Sequence, residues 1–166
     1  KVSSYLALCG DREVYQHHVG CWKGNFHGLD FSCLSACNAH ETHLATVRPE
    51  EVLSQPVEFM SVDARSDVLR YPVSIQTNLI SEREGNCYGL VGWFEAKFPK
   101  GITPKEMTLD TSPFSHTTHW QQLYFPVETP IFLNRGALVE LDFAAYIDKD
   151  NPQVVHFKRK MKSNSE

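Results

Sequence analysis

The sequence predicts an all-β domain, a β-barrel or sandwich of about nine short strands with a short helical arm inserted near its beginning. Three observations lead there. Short stretches of alternating apolar and polar side chains recur along the chain, and clusters of Gly, Pro, Asn and Asp separate them. Only between about Asp11 and Ala39 does the apolar spacing switch to that of a helix.

Val2 to Cys9 mixes alternation with a short apolar run, as a half-buried strand would, and Gly10-Asp11 ends it. Tyr15, His18, Val19 and Trp22 then fall at helical spacing, and Gly20, Gly24 and Gly28 break up the segment after them. Leu29 to Leu34 opens a second short helical stretch, with Asp30 or Ser32 available as its cap and Phe31, Leu34 and Cys37 on one side. Two short helices this aromatic have little of their own to pack on. Some of Trp22, Phe26, Leu29, Phe31 and Leu34 are expected to face another subunit; docking on the same chain's barrel is the alternative.

From His43 the pattern is β. His43 to Val47 reads as a strand, Arg48 to Leu53 as a helical turn with proline near its start, and Val57 to Val62 as a strand. Pro72 to Ile80 alternates as a half-buried edge. Cys87 to Phe98 is the longest strand, with Tyr88, Leu90, Gly92, Phe94, Ala96 and Phe98 on one face and the first half of the other face covered as well. Met107 to Ser112 and His119 to Phe125 flank a loop, Ala137 to Ile147 is an alternating strand, and a turn cluster at Asp148 to Pro152 leads into Val154 to Met161. The tail from Lys162 to Glu166 is polar and expected to fray.

Bulk properties narrow the function classes. A chain of 166 residues, 42% hydrophobic and 22% charged, suits one well-buried domain and is short for two. Sixteen basic against 20 acidic residues give a net charge of -4, which excludes a general nucleic-acid binder and is compatible with a basic polypeptide substrate. Cys9, Cys21, Cys33, Cys37 and Cys87 lack the spacing of a disulfide framework and read as thiols in a reducing compartment. No apolar run approaches the ~20 residues of a membrane helix, and no signal-peptide pattern opens the chain. Starting at Lys1 directly in a strand, the sequence reads as a piece of a longer protein.

The stretch from Thr111 to Phe125 carries the chemistry. Two histidines, a proline and a tryptophan sit among Ser and Thr residues, a poor mixture for a core and a suitable one for a loop presented between strands. Thr118, His119 and Trp120 form its centre. An imidazole exchanges protons near neutral pH, and an indole offers a flat wall for a cationic ligand. A His beside a Trp at a strand entrance is more often a buried pair with satisfied hydrogen bonds, and spacing alone leaves that alternative open.

Other constellations are weaker. Cys33, Cys37, His40 and His43 have zinc-ligand chemistry, but on one helix they would span about 15 Å at 1.5 Å per residue. Ligands of one ion lie within ~2.3 Å of it, so no metal site is expected. Asp110, Ser112 and His119 lie too near one another on one strand to converge as a triad. Glu82-Arg83-Glu84 reads as a solvated hairpin loop, and Lys158-Arg159-Lys160 as a solvated edge.

Leu109-Asp110-Thr111-Ser112-Pro113-Phe114 with Thr118-His119-Trp120-Gln121-Gln122 after it resembles the S-T-S-P and T-H-W-K-Q signature of type I protein arginine methyltransferases. Trp22 with His27-Gly28-Leu29-Asp30-Phe31-Ser32-Cys33-Leu34 is similar to the family's helical arm, and Glu50 to Pro56 to its D-P-x-x-L-x-x-P turn. Gly89 to Phe98 resembles a barrel strand, and Asp150-Asn151-Pro152 the last hairpin. Gln121 departs from the family's usual lysine.

The resemblance implies a two-part enzyme. An N-terminal domain binds S-adenosylmethionine and carries the glutamates that hold the substrate guanidinium; residues 1–166 resemble only the C-terminal substrate-binding barrel, with a dimerisation arm over about 11–40. It implies that His119 works at the catalytic pocket, that Trp120 walls the arginine channel and that Thr118 sets the loop. It also implies a homodimer through the arm and arginine-rich substrates such as histones or RNA-binding proteins, with no direct nucleic-acid or membrane contact, in the nucleus or cytoplasm. The chain alone should be inactive. A non-catalytic methyltransferase partner or freestanding binding module is the alternative.

Overall fold

In a computed structural model, residues 1–67, 71–101 and 105–163 are described. The strands are β1 (Val2–Cys9), β2 (Asn25–Phe26), β3 (Leu29–Asp30), β4 (His43–Ala45), β5 (Val57–Val62), β6 (Val73–Ile80), β7 (Gly85–Phe98), β8 (Met107–Asp110), β9 (Gln122–Leu133), β10 (Leu138–Ile147) and β11 (Val155–Ser163). The helices are α1 (Arg12–His18) and α2 (Ser32–His40), with 3-10 turns at Gly20–Lys23 and Pro49–Glu51. Setting aside the two-residue ribbon β2–β3, the predicted strand number is met among the described residues.

Two sheets make the sandwich. One runs β4-β9-β7-β1-β5 with β8 added to β7, the other β11-β10-β6, and the two stay separate rather than closing into one barrel. Leu6, Leu8, Leu90 and Phe125 from the first meet Leu79, Val139, Leu141 and Phe143 from the second. Phe125 packs edge-on against Phe143 at 5.3 Å and Phe157 at 5.2 Å, a geometry that sets ring edges against ring faces. The opposite face of the first sheet is covered by the arm, where Tyr15, Val19 and Ala39 lie over Ala7, Cys9, Val91 and Tyr124. Both faces of β1 are therefore buried, which is why its apolar residues run together instead of alternating.

β7 and β9 approach unusually closely where their register shifts between Cys87 and Gly89. A Cβ on Gly89 would collide with the Phe125 carbonyl oxygen and lie 2.9 Å from the Pro126 Cα, so only glycine permits the contact.

The arm departs from prediction in two respects. Leu29 and Asp30 do not begin the second helix: they pair with Asn25 and Phe26 across a tight turn in which His27 and Gly28 have φ of 51° and 85°. α2 starts at Ser32, whose N–H donates to Asp30 Oδ1 at 2.8 Å. Hydrogen bonds from Ser32 hold the Asp30 carboxyl below the usual range. Cys37 is exposed, not aligned with the half-buried Phe31 and Leu34. α1 is capped by Asp11, whose carboxylate accepts from the N–H groups of Glu13 and Val14 at 3.0 and 3.1 Å.

The run Lys158-Arg159-Lys160 is not uniformly a solvated edge. Lys158, Lys160 and Lys162 point outward, with Lys160 opposite Asp142 and Lys162 opposite Glu140. Arg159 points inward over the Phe125 ring at 5.6 Å. Its guanidinium donates to the carbonyls of Ala39 at 2.7 Å and Pro126 at 3.0 Å, tying the end of α2 to both sheets. Lys162 and Ser163, expected in the frayed tail, belong to β11; residues 164–166 lie outside the described residues.

Candidate functional site at the rim of the first sheet

The loop between β8 and β9 is anchored at both ends. Thr111, 1% exposed, donates its N–H to the Phe94 carbonyl at 3.1 Å and its hydroxyl to the same oxygen at 2.9 Å, while accepting from Phe94 N–H at 3.1 Å. The Asp110 side chain accepts from Ser112 N–H at 2.8 Å, and Ser115 donates its hydroxyl to the Asp110 carbonyl at 2.7 Å. At the far end the buried Gln122 side chain bridges Val47 N–H, at 3.0 Å, and the Thr111 carbonyl, at 2.8 Å.

His119 does not begin a strand, contrary to the sequence expectation. Gln121 takes φ of 53°, a left-handed conformation that no strand accommodates, and its N–H closes a turn onto the Thr118 carbonyl at 3.3 Å. β9 starts one residue later. The turn lifts His119 and Trp120 off the sheet, and both are exposed, Trp120 by 53%. The buried-pair reading is thus set aside for these two residues. Thr118 is half-buried, and its hydroxyl oxygen has no hydrogen-bond partner among the described residues.

Trp120 stands between two rings, edge-on to His119 at 6.0 Å and to Phe94 at 6.3 Å. Behind it opens a cavity of about 260 Å³ walled by Leu44, Phe59, Phe94, Trp120, Leu123 and Phe125. This cavity continues the inter-sheet core past the end of its cover, and Gly92 helps to leave it open, since a Cβ there would sit 3.1 Å from the Phe125 ring. Leu44, 59% exposed, and Phe94 are site residues that sequence reasoning missed. Their signal was available: Leu44 is an apolar residue on the strand face that Thr42 and Thr46 otherwise make polar, and Phe94 lies on the same strand face as Leu90 and Gly92. The cavity does not fit S-adenosylmethionine, being small and apolar where the cofactor's amino-acid and ribose groups need polar partners.

The remaining predicted residues are distributed over the arm. Leu29 is 60% exposed, Trp22, Phe31 and Leu34 are half-buried, and the side chain of Phe26 lies outside the described residues. Tyr15 donates its hydroxyl to the Glu128 carbonyl at 3.0 Å, and Lys23 donates to Tyr15 at 2.8 Å. His43 bonds the Asn38 carbonyl at 2.8 Å and stacks on His18 with centroids 4.3 Å apart. Burial, then His43 and His17, lower the His18 pKa. All five cysteines are free. Burial pushes Cys87 up to about 11 and Cys9 higher still, so both are protonated fillers rather than nucleophiles.

Comparison with known proteins places these features in context. The family described as "Arginine methyltransferase oligomerization subdomain" matches residues 1–165. The chain is similar to protein arginine N-methyltransferase 6 of Xenopus laevis, 31% identical over 83% of this chain and 40% of that protein. It is also similar to protein arginine N-methyltransferase 1 of Chlamydomonas reinhardtii, 26% identical over 89% of this chain and 43% of that protein. The chain thus spans less than half the length of these curated relatives. Among solved structures, a chain of the Trypanosoma brucei PRMT1 enzyme–prozyme heterotetrameric complex with AdoHcy superposes with a TM-score of 0.81. Its identity is 13%, over 98% of this chain and 53% of that one.

Proposed function

We propose, from the premise that this chain belongs to the protein arginine methyltransferase family as its oligomerization subdomain, that it forms the outer wall of an arginine pocket and the contact between two copies of the enzyme. The observation that carries this is the rim itself: an exposed imidazole beside an exposed indole, on a loop whose two ends are fixed by buried hydrogen bonds.

The chemistry suits these groups. A guanidinium is protonated throughout the physiological range, so its nitrogen accepts a methyl group only if it is held in line and its proton has somewhere to go. Trp120 supplies a face against which the planar cation lies, with Phe94 setting the angle of that face. The His119 ring, orthogonal to the indole, projects from the same turn and can pair with a carboxylate across the pocket and receive the departing proton. S-adenosylmethionine supplies the methyl group when bound by residues outside this chain. The substrate class is an arginine-rich polypeptide, consistent with a net charge of -4.

For the arm, we propose a homodimer through Trp22, Leu29, Phe31 and Leu34, which leave apolar surface without cover in one copy. The test of the pocket uses the full-length protein, labelled methyl donor and an arginine-rich peptide. His119→Ala and Trp120→Ala are each expected to lower transfer at least about tenfold, with the thermal unfolding of the sandwich unchanged because both side chains are exposed. Wild-type rates in both variants would remove the assignment.

A further inference from the structure

We infer that Gln122 is a positioning residue for the His119–Trp120 rim and acts through its side-chain carboxamide, an inference that rests on the methyl-transfer reading above. Three backbone segments meet at this one group. Its Oε1 accepts from Val47 N–H at 3.0 Å, and its Nε2 donates to the Thr111 carbonyl at 2.8 Å. Gln122 itself is the first residue of β9, and its backbone continues directly from the turn that raises His119 and Trp120. With Gln122 3% exposed, water cannot take over either bond without opening the sheet.

The amide therefore closes the base of the loop from inside. Thr111 is fixed on its other side by the paired bonds to Phe94, and Phe94 is the ring against which Trp120 rests. Gln121 adds a parallel but weaker tie, donating to the Thr46 hydroxyl at 3.1 Å from an exposed position. The rim's angle is set where these ties converge, and the convergence point is the Gln122 side chain.

The chemical demand is narrow. Val47 N–H requires an acceptor and the Thr111 carbonyl requires a donor, and a neutral amide provides one of each. A carboxylate provides only acceptors and would set a negative oxygen against the Thr111 carbonyl. A protonated carboxyl restores the pattern, its hydroxyl donating to Thr111 and its carbonyl accepting from Val47. The substitution Gln122→Glu should thus make the loop base sensitive to pH. Burial and the donor role of the neutral carboxyl both favour the protonated state.

The test uses the full-length protein with Gln122→Glu and Gln122→Leu. The Leu variant is expected to lower kcat about tenfold to a hundredfold with the KM for the methyl donor unchanged, as misplacement of the rim requires. The Glu variant should show a similar loss at alkaline pH and regain rate relative to wild type as the pH is lowered and its carboxyl protonates. A rate ratio that stays flat with pH, or stays at wild-type level throughout, overturns the inference. Amide-exchange protection of Val47 N–H gives a second readout independent of catalysis. It should be lost in the Leu variant and kept in the Glu variant at every pH, because a carboxylate still accepts from Val47 N–H and loses only the bond to Thr111; retained protection in the Leu variant overturns the inference. Should the Leu variant fail to fold, the Glu series decides alone. If wild type transfers no methyl group while the exchange pattern holds, the methyl-transfer reading fails and the clamp stands.

Discussion

Replacing Arg159 with methionine should detach the arm from the sandwich while leaving the stem's packing on Phe125 largely in place. The two part-buried bonds to Ala39 and Pro126, at 2.7 and 3.0 Å, are the ones that count; those to His40 and Glu41, at 3.4 and 3.3 Å, are solvent-exposed. Hydrogen bonds made by a charged donor contribute about 1.5–3 kcal/mol each, and the low end applies where water can re-enter. The contact over the Phe125 ring at 5.6 Å adds about 0.5 kcal/mol. Part of this is offset because the guanidinium no longer has to be desolvated, which leaves a net loss of about 3 kcal/mol. For a domain of this size the unfolding temperature should fall by roughly 6–12 °C. Arg159→Lys keeps the charge but not the fork, and should lose about half as much. Calorimetry of the full-length protein, with amide exchange across α2, reads both effects. If the methionine variant melts within about 2 °C of wild type with unchanged exchange in α2, the clamp contributes nothing and its two short bonds do not hold the arm.

Three further outcomes are expected from the geometry. The lowered His18 pKa means the folded state prefers the neutral ring: its contribution to stability is complete above the unfolded value near ~6.5, declines as pH falls below it, and levels off once pH is below the folded value. His18→Phe should keep the stack on His43 and flatten that slope in a pH series of melting temperatures. Gly89→Ala should destabilise by about 1–3 kcal/mol or more, measured by denaturant unfolding, because the clash is with the backbone of β9 and no side chain can turn away. A Trp22→Ala, Phe31→Ala double variant should lower the mass of the full-length protein in light scattering; an unchanged mass would assign both residues to the packing of their own arm.

The sandwich is largely legible in the sequence because its strands carry their burial in their spacing. β5, β6 and β10 begin and end within a residue or so of the predicted limits, and β7 is covered on both faces of its first half, as its sequence predicts. β9 is only half legible. Its course beyond Phe125 contains Pro126, Glu128 and Pro130, which look like breakers, yet β4 pairs only with Gln122, Leu123 and Tyr124. Beyond Tyr124 one edge of β9 meets no strand among the described residues, and proline costs no ladder bond there. The rim residues His119 and Trp120 are found through motif and resemblance, whereas the roles of Gln122, which lies inside that motif, and of Arg159 are not. Their roles depend on partners far away in sequence, Val47 and Ala39, which no local pattern encodes.

β9 also joins two regions that would otherwise be separate. It leaves the rim at Gln122, passes beneath the arm at Tyr124, offers the Pro126 carbonyl to Arg159, and holds Tyr15 and Lys23 through the Glu128 carbonyl. One uninterrupted length of backbone thus spans from the mouth where a guest would enter to the joint where a second copy would press. A change that shifts β9 at Glu128 should therefore be felt at its Gln122 end, because both lie on one strand laddered to β7.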